Sequence, residues 1–354
     1  MFDFTSAPTW LNFAIFAAAA IVVWIAGARI TGHANAISVK TGIGQAAIGM
    51  ILLGGITSLP EIGATVTGAA TGAALLAVNN LFGSIAAQVV ILAIVDITIR
   101  GKALTSEIPD PVVLLQGGLN ILLISIATAG ITVGDFPILG IGAWAWISAL
   151  AYGFSIYVLS QSEGRKAWMA ARGGKVETGL DQQQEQAQEK ANKQHEDESL
   201  KKVIAWTVGL AAVILVAGFL LARTGDAIAQ QTGLGGSAVG FVLLAFATSL
   251  PEFSTAITAA KSGLYTLAVS DILGTNLINI GLIFVIDAVA QGEPILAQAG
   301  TFDAFGALLG IAVTALFVIG MAERGDKTVL RMGLDSLAVL ICYGAGLVVL
   351  FFLR

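Results

Sequence analysis

The chain has 354 residues, of which 56% are apolar and 12% charged, with a net charge of −5 and a mean hydropathy of +0.86. A soluble domain is about 25% charged; half that density cannot coat a water-facing surface, which argues against a soluble enzyme, a nucleic-acid binder and a disordered scaffold. One cysteine, Cys342, leaves no internal disulfide framework, and the two histidines, His33 and His195, stand far apart in polar segments and make no metal-ligand cluster.

A bilayer core about 30 Å thick takes about 20 apolar residues in a helix. Runs of that kind fall near 11–30, 41–72, 74–98, 111–130, 137–159, 203–223, 234–263, 265–289, 303–322 and 332–353. Lipid offers no partner for a bare N–H or C=O, so each is expected to be helical. The expected fold class is thus an all-α membrane protein with ten transmembrane helices. Residues 1–8 lack the basic region of a cleavable signal, and none is expected.

The second run is too long for one straight crossing and contains Thr57-Ser58-Leu59-Pro60-Glu61. Pro60 removes a backbone donor and clashes with the Ile56 carbonyl, so the helix is expected to loosen over 54–58. The hydroxyls of Thr57 and Ser58 either face the freed carbonyls or back-bond to their own helix. A carboxylate in an apolar run is costly and normally kept for function, which singles out Glu61; an inter-helix hydrogen bond is the plainer alternative. In the third run Asn80, Ser84 and Gln88 recur at i, i+4, i+8, which puts them on one helix face. Gly83 among them permits close backbone approach. Such a ladder serves a polar site or glues helices together. Asp96 closes this run and is expected to mark the membrane interface.

The long polar stretch, about 161–202, is rich in Gln, Glu and Lys around 181–190 and reads as a solvated, partly helical linker. It divides the chain into a first five-helix half, 1–160, and a second, 203–354. The second half repeats the first without gaps at an offset of 191. Thr248-Ser249-Leu250-Pro251-Glu252 duplicates the earlier pentapeptide, and 237–287 matches 46–96 at 17 of 51 positions, including Gly83/Gly274 and Asp96/Asp287. The seventh run is therefore expected to loosen over 245–249, and Asp271, Thr275 and Asn279 form the second ladder, with Asp271 opposite neutral Asn80. Five spans per half is an odd number, so the copies enter the membrane from opposite sides, as inverted repeats do in many secondary transporters. With the N-terminus outside, 16 of the 18 basic residues fall on the inner side and only Arg223 and Arg354 outside. The positive-inside rule then places both termini outside the cytoplasm and the linker within it, in a plasma (inner) membrane.

The segments Gly54–Glu61 with Asn80–Ser84, and Ala245–Glu252 with Asp271–Asn276, resemble the paired alpha repeats of the cation/calcium exchanger superfamily, most closely its sodium/calcium exchanger branch. The resemblance covers the whole chain in outline and is specific in the two repeats. It implies an antiporter, not an enzyme, moving Ca²⁺ against Na⁺ or H⁺ as substrates, with no cofactor. It also implies central carboxylates at Glu61 and Glu252, hydroxyl or carbonyl ligands at Thr57, Ser58, Thr248, Ser249, Ser84 and Thr275, and amide or acid positions at Gln88 and Asn279. The sodium-coupled branch usually has Asn where Gln88 stands, often Asp where Asn279 stands, and commonly Asn at the places of Ile85 and Asp271. Two glutamates carry −2, which one Ca²⁺, two Na⁺ or two H⁺ neutralise; three Na⁺ need a third carboxylate, and Asp271 either supplies it or lines an approach vestibule. The expected partners are inorganic cations and the lipid bilayer, not nucleic acid. A Ca²⁺/H⁺ antiporter, an antiporter of Mg²⁺ or K⁺, and a passive cation channel remain as alternatives, and the oligomeric state is open.

Overall fold

The computed structural model describes residues 3–41, 48–99, 103–108, 110–162, 199–233, 236–290, 292–323, 327–329 and 331–353. Its long helices in chain order are α1 (Thr9–Thr41), α2 (Leu59–Ala70), α3 (Ala74–Asp96), α4 (Val112–Val133), α5 (Ala143–Ser162), α6 (Leu200–Thr232), α7 (Leu250–Lys261), α8 (Tyr265–Ala290), α9 (Thr301–Glu323) and α10 (Leu334–Leu353). Among the described residues, eight of these are long and apolar enough to cross a bilayer. The stretch Gly236–Thr248 meets α7 at a 40° bend, and the two taken together pass the same test of length and apolarity. The matching stretch of the first half runs through Ile48–Leu53 and Gly54–Thr57 into α2. The fold is the expected all-α one of two inverted five-helix repeats.

Helices α3 and α8 are central: 89% and 67% of their most apolar stretches are buried within the protein, against 28% for α5 and 22% for α10. A helix apolar on every side belongs in such a position or in lipid. Glycines bring the other helices onto them. A Cβ on Gly83 of α3 would run into the Phe241 carbonyl, and one on Gly274 of α8 would sit 2.7 Å from the Met50 Cα. Outside these, α1 lies across α7 and α6 across α2. A Cβ on Gly27 would be 2.8 Å from the Pro251 Cα, and one on Gly218, its repeat partner, 2.5 Å from the Pro60 Cα.

Several boundaries differ from the hydropathy reading. Helices α1 and α6 run 33 residues each, well past 11–30 and 203–223. Hydropathy registers only the stretch within the lipid, whereas the helix continues wherever its i→i−4 bonds can form. Polar side chains serve the extended ends: Asn12 Nδ2 donates to the Phe4 carbonyl at 2.8 Å and Gln231 Nε2 to the Ala7 carbonyl at 2.8 Å. The proposed linker 161–202 loses residues at both ends, since α5 includes 161–162 and α6 begins at Leu200, capped by the Ser199 side chain on the Lys202 N–H. Residues 163–198, with the Gln/Glu/Lys-rich segment, lie outside the described residues. The runs expected from 137 and 332 begin instead as two-stranded hairpins. Strands β1 (Pro137–Ile138) and β2 (Ile141–Gly142) pair antiparallel, as do β3 (Thr328–Val329) and β4 (Met332–Gly333).

Candidate functional site

The two Thr-Ser-Leu-Pro-Glu segments fold alike. In each, six residues form a wide π-helical stretch (Ile48–Leu53, Val239–Leu244), four a normal turn (Gly54–Thr57, Ala245–Thr248), and then one residue, Ser58 or Ser249, interrupts the helix. The expected loosening over 54–58 and 245–249 is therefore displaced: the widened turn lies one turn earlier and the break narrows to a single serine. The reason is proline placement. Pro60 and Pro251 fall in the first turn of α2 and α7, where a helix has no partner for an N–H, so the missing donor costs nothing there. Glu61 and Glu252 follow in that same first turn.

All eleven candidate residues (Glu61, Glu252, Thr57, Ser58, Thr248, Ser249, Ser84, Thr275, Gln88, Asn279 and Asp271) are fully buried, with 0% exposure. Most of the contacts among them cross between the halves, and they repeat. Thr57 Oγ1 donates to Asp271 Oδ1 at 3.1 Å and lies 3.4 Å from Thr275 Oγ1. Its equivalent Thr248 donates to Asn80 Oδ1 at 3.2 Å and lies 3.3 Å from Ser84 Oγ. Each broken segment thus presents its threonine to the ladder of the opposite half. Around Glu61, Ser84 Oγ donates to Oε1 at 3.4 Å, and Gln88 Nε2 approaches the same oxygen at 3.5 Å and Ser249 Oγ at 3.3 Å.

Some of the expected members are engaged elsewhere. Ser58 Oγ donates to the Gly54 carbonyl at 2.5 Å, the back-bonded arrangement available to a helical serine. Asp271 accepts from Thr57 and also from Thr255. Among the described residues, no three acidic, histidine or cysteine side chains are grouped closely enough to enclose an ion by themselves. Neutral oxygens therefore have to supply much of any cation's shell. The Gly54 carbonyl takes part as well, accepting from Thr275 Oγ1 at 3.3 Å.

Several buried atoms here have no hydrogen-bonding partner among the described residues: Glu61 Oε2, both oxygens of Glu252, Gln88 Oε1, and both amide atoms of Asn279. An unsatisfied buried polar atom costs about 1–3 kcal/mol, more when charged. A cluster of mostly acceptor oxygens fits a cation and not an anion.

Asn80, Thr255 and the Gly54 carbonyl lie outside the candidate set drawn from the sequence. Asn80 was visible as a ladder member. Thr255 follows Glu252 by three residues, on the same helix face, but its repeat counterpart is Ala64, so comparing the halves conceals it.

The family described as "Sodium/calcium exchanger protein" matches residues 11–161 and 202–353. An uncharacterized membrane protein of Methanocaldococcus jannaschii is 24% identical over 325 residues, 86% of this chain and 91% of that protein. The sodium/calcium exchanger MaX1 of Methanosarcina acetivorans is 24% identical over 146 residues, 40% of this chain and 41% of its own length. A solved structure of the sodium-calcium exchanger NCX_Mj, soaked with Na⁺ and Sr²⁺, aligns over 96% of this chain and 99% of its own at a TM-score of 0.66 and 16% identity, a likeness of fold.

Proposed function

The chain belongs to the sodium/calcium exchanger protein family, and on that premise we propose that it exchanges Ca²⁺ for Na⁺ by alternating access at the pocket around Glu61 and Glu252. The observation that carries this reading is the set of fully buried oxygens on Glu61, Glu252 and Gln88 that have no partner among the described residues. Ca²⁺ takes 6–8 oxygen ligands of mixed type. Two carboxylates with the neighbouring Thr57, Ser84, Thr248, Ser249 and Thr275 hydroxyls, the Asn279 and Gln88 amides and the broken-helix carbonyls supply that chemistry. Ionised and empty, the pair of glutamates opposes passage through a dry intermediate, where a charge costs about 2.5–3.5 kcal/mol even on insertion scales. A bound cation removes that barrier, which couples conformational switching to ion binding.

In this reading residues 1–160 and 203–354 are the two transport halves, joined by a cytoplasmic linker, with both termini outside a plasma (inner) membrane. The distribution of basic residues supports that orientation. The deciding measurement is ⁴⁵Ca²⁺ uptake into proteoliposomes, with outward Na⁺ and outward H⁺ gradients imposed separately. Uptake driven by Na⁺ alone is expected. Uptake driven only by H⁺ would establish the second reading, a Ca²⁺/H⁺ antiporter, which the neutral side chain of Asn279 favours. Excess Mg²⁺ or K⁺ that abolishes uptake would move the substrate to those ions, and uptake without any counter-gradient would indicate a channel.

Asp271 sets the charge balance. With two carboxylates one Ca²⁺ against two Na⁺ is electroneutral; with Asp271 ionised and engaged, three Na⁺ can be held. Asp271→Asn is therefore expected to remove the dependence of exchange on membrane potential while exchange itself continues. Unchanged voltage dependence would exclude Asp271 as a third ligand.

A further inference from the structure

Asp96 and Asp287 do more than mark the membrane interface. Asp96 ends α3, and its two carboxylate oxygens accept separate backbone N–H groups: Leu104 on Oδ1 at 2.6 Å and Gly333 on Oδ2 at 2.7 Å. Asp287, near the end of α8, accepts Ile295 on Oδ1 at 2.7 Å and Gly142 on Oδ2 at 3.0 Å. Residues 104 and 295, and 333 and 142, are themselves equivalent at the offset of 191, so the two arrangements are one motif built twice. In each, one bond is local, to the first residue of the helical turn eight positions on (Leu104–Glu107, Ile295–Gln298). The other crosses to the hairpin that opens the last helix of the opposite half, β3–β4 before α10 or β1–β2 before α5. Both carboxylates are almost fully buried, at 0% and 5% exposure.

The glycines belong to the motif. Neither Gly142 nor Gly333 has a positive φ, so glycine is there for space and not for conformation. A Cβ on Gly142 would sit 2.8 Å from Asp287 Oδ2, and one on Gly333 would run into Asp335 Oδ1 and lie 2.9 Å from the Ala103 Cβ. A methyl group at Gly142 presses on the Asp287 carboxylate and, closer still, on Asp135 Oδ2, whereas one at Gly333 presses on Asp335 and Ala103 beside the tie and not on Asp96 itself.

We infer that Asp96 and Asp287 are positioning residues, a matched pair of ties that fix the ladder helices α3 and α8 against the opposite half and so hold the two ladders in register around the pocket. Hydrogen bonds to a charged carboxylate are about twice as strong as neutral ones. An Asn in its place keeps one acceptor and turns an NH₂ toward the other N–H, so it opens one arm of the tie.

The inference rests on the antiport reading only for its transport readout. Hydrogen–deuterium exchange on purified protein tests the ties whatever ion is carried. Asp96→Asn is expected to lower amide protection in β3–β4, and Asp287→Asn in β1–β2, each by about tenfold or more. Gly142→Ala should reproduce the loss in β1–β2 with Asp287 intact. ⁴⁵Ca²⁺ binding and uptake should then show affinity weakened by about tenfold with maximal rate held within about twofold in the folded variants. If protection in the opposite half's hairpin stays at the wild-type level in both Asp variants, the ties do not exist as described. Lost protection with unchanged Ca²⁺ affinity overturns the positioning role and leaves them as scaffold. Should Asp96→Asn fail to fold, Asp287→Asn and Gly142→Ala carry the same test on the other copy.

Discussion

Glu252→Gln is expected to abolish counter-transport, and Glu61→Gln to do the same, while both variants fold and insert. Each glutamate is fully buried in the first turn after a proline, with at least one oxygen lacking any partner among the described residues. Glutamine preserves size and removes the charge. Taking one partner from a buried ion pair costs about 3–5 kcal/mol, which corresponds to about two to three and a half orders of magnitude in affinity. Glu252→Gln should be the cleaner case, because neither of its carboxylate oxygens has a hydrogen-bond partner among the described residues, whereas Glu61 Oε1 also receives Ser84 and Gln88. Glutamine adds no bulk to the pocket, so Tm in detergent should hold as transport disappears. Wild-type Ca²⁺ uptake in sealed vesicles by either variant would remove the central premise of the site.

Gly83→Ala, and its repeat counterpart Gly274→Ala, should both weaken ion binding and destabilise the protein without altering any polar group. At Gly83 the added methyl would overlap the Phe241 carbonyl and stand 2.8 Å from the Ala245 Cβ; at Gly274 it would meet the Met50 Cα and carbonyl oxygen at 2.7 and 2.8 Å. These neighbours are backbone of the broken segments and cannot rotate away. Overpacking of this kind costs about 1–3 kcal/mol. The helix can relieve it only by moving off the segment, and Ser84 and Thr275 are the next residues along. Ca²⁺ affinity is expected to fall by about tenfold and Tm by at least a few degrees. Gly153→Ala on α5, where nothing lies within 4 Å, is the control and should match wild type in both assays. Wild-type affinity in Gly83→Ala would mean that the contact does not set the pocket.

Much of the architecture is legible in the residue order. Ten apolar runs in a bilayer-sized period give the helices, and the offset of 191 pairs residues such as Thr57 with Thr248 and Asp96 with Asp287. Both are local or covalent properties: a helix must satisfy its own backbone in lipid, and a proline withdraws its donor wherever it stands. What a residue order does not carry is which face of one helix meets which face of another.

That was decided by packing between residues of opposite halves, far apart in the chain. The glycine crossings at Gly83 and Gly274 bring each broken segment onto the other half's ladder, so Thr57 reaches Asp271 and Thr275 and not the Asn80 of its own half. Close packing likewise turned Asp96 and Asp287 from helix-end acids into links between halves, and within the second half it placed Thr255 on Asp271. The sequence determined the helices, the repeat and the buried carboxylates, because hydropathy and covalent geometry act along the chain. Only the tertiary structure determined their partners, because backbone approach and hydrogen-bond direction act across it.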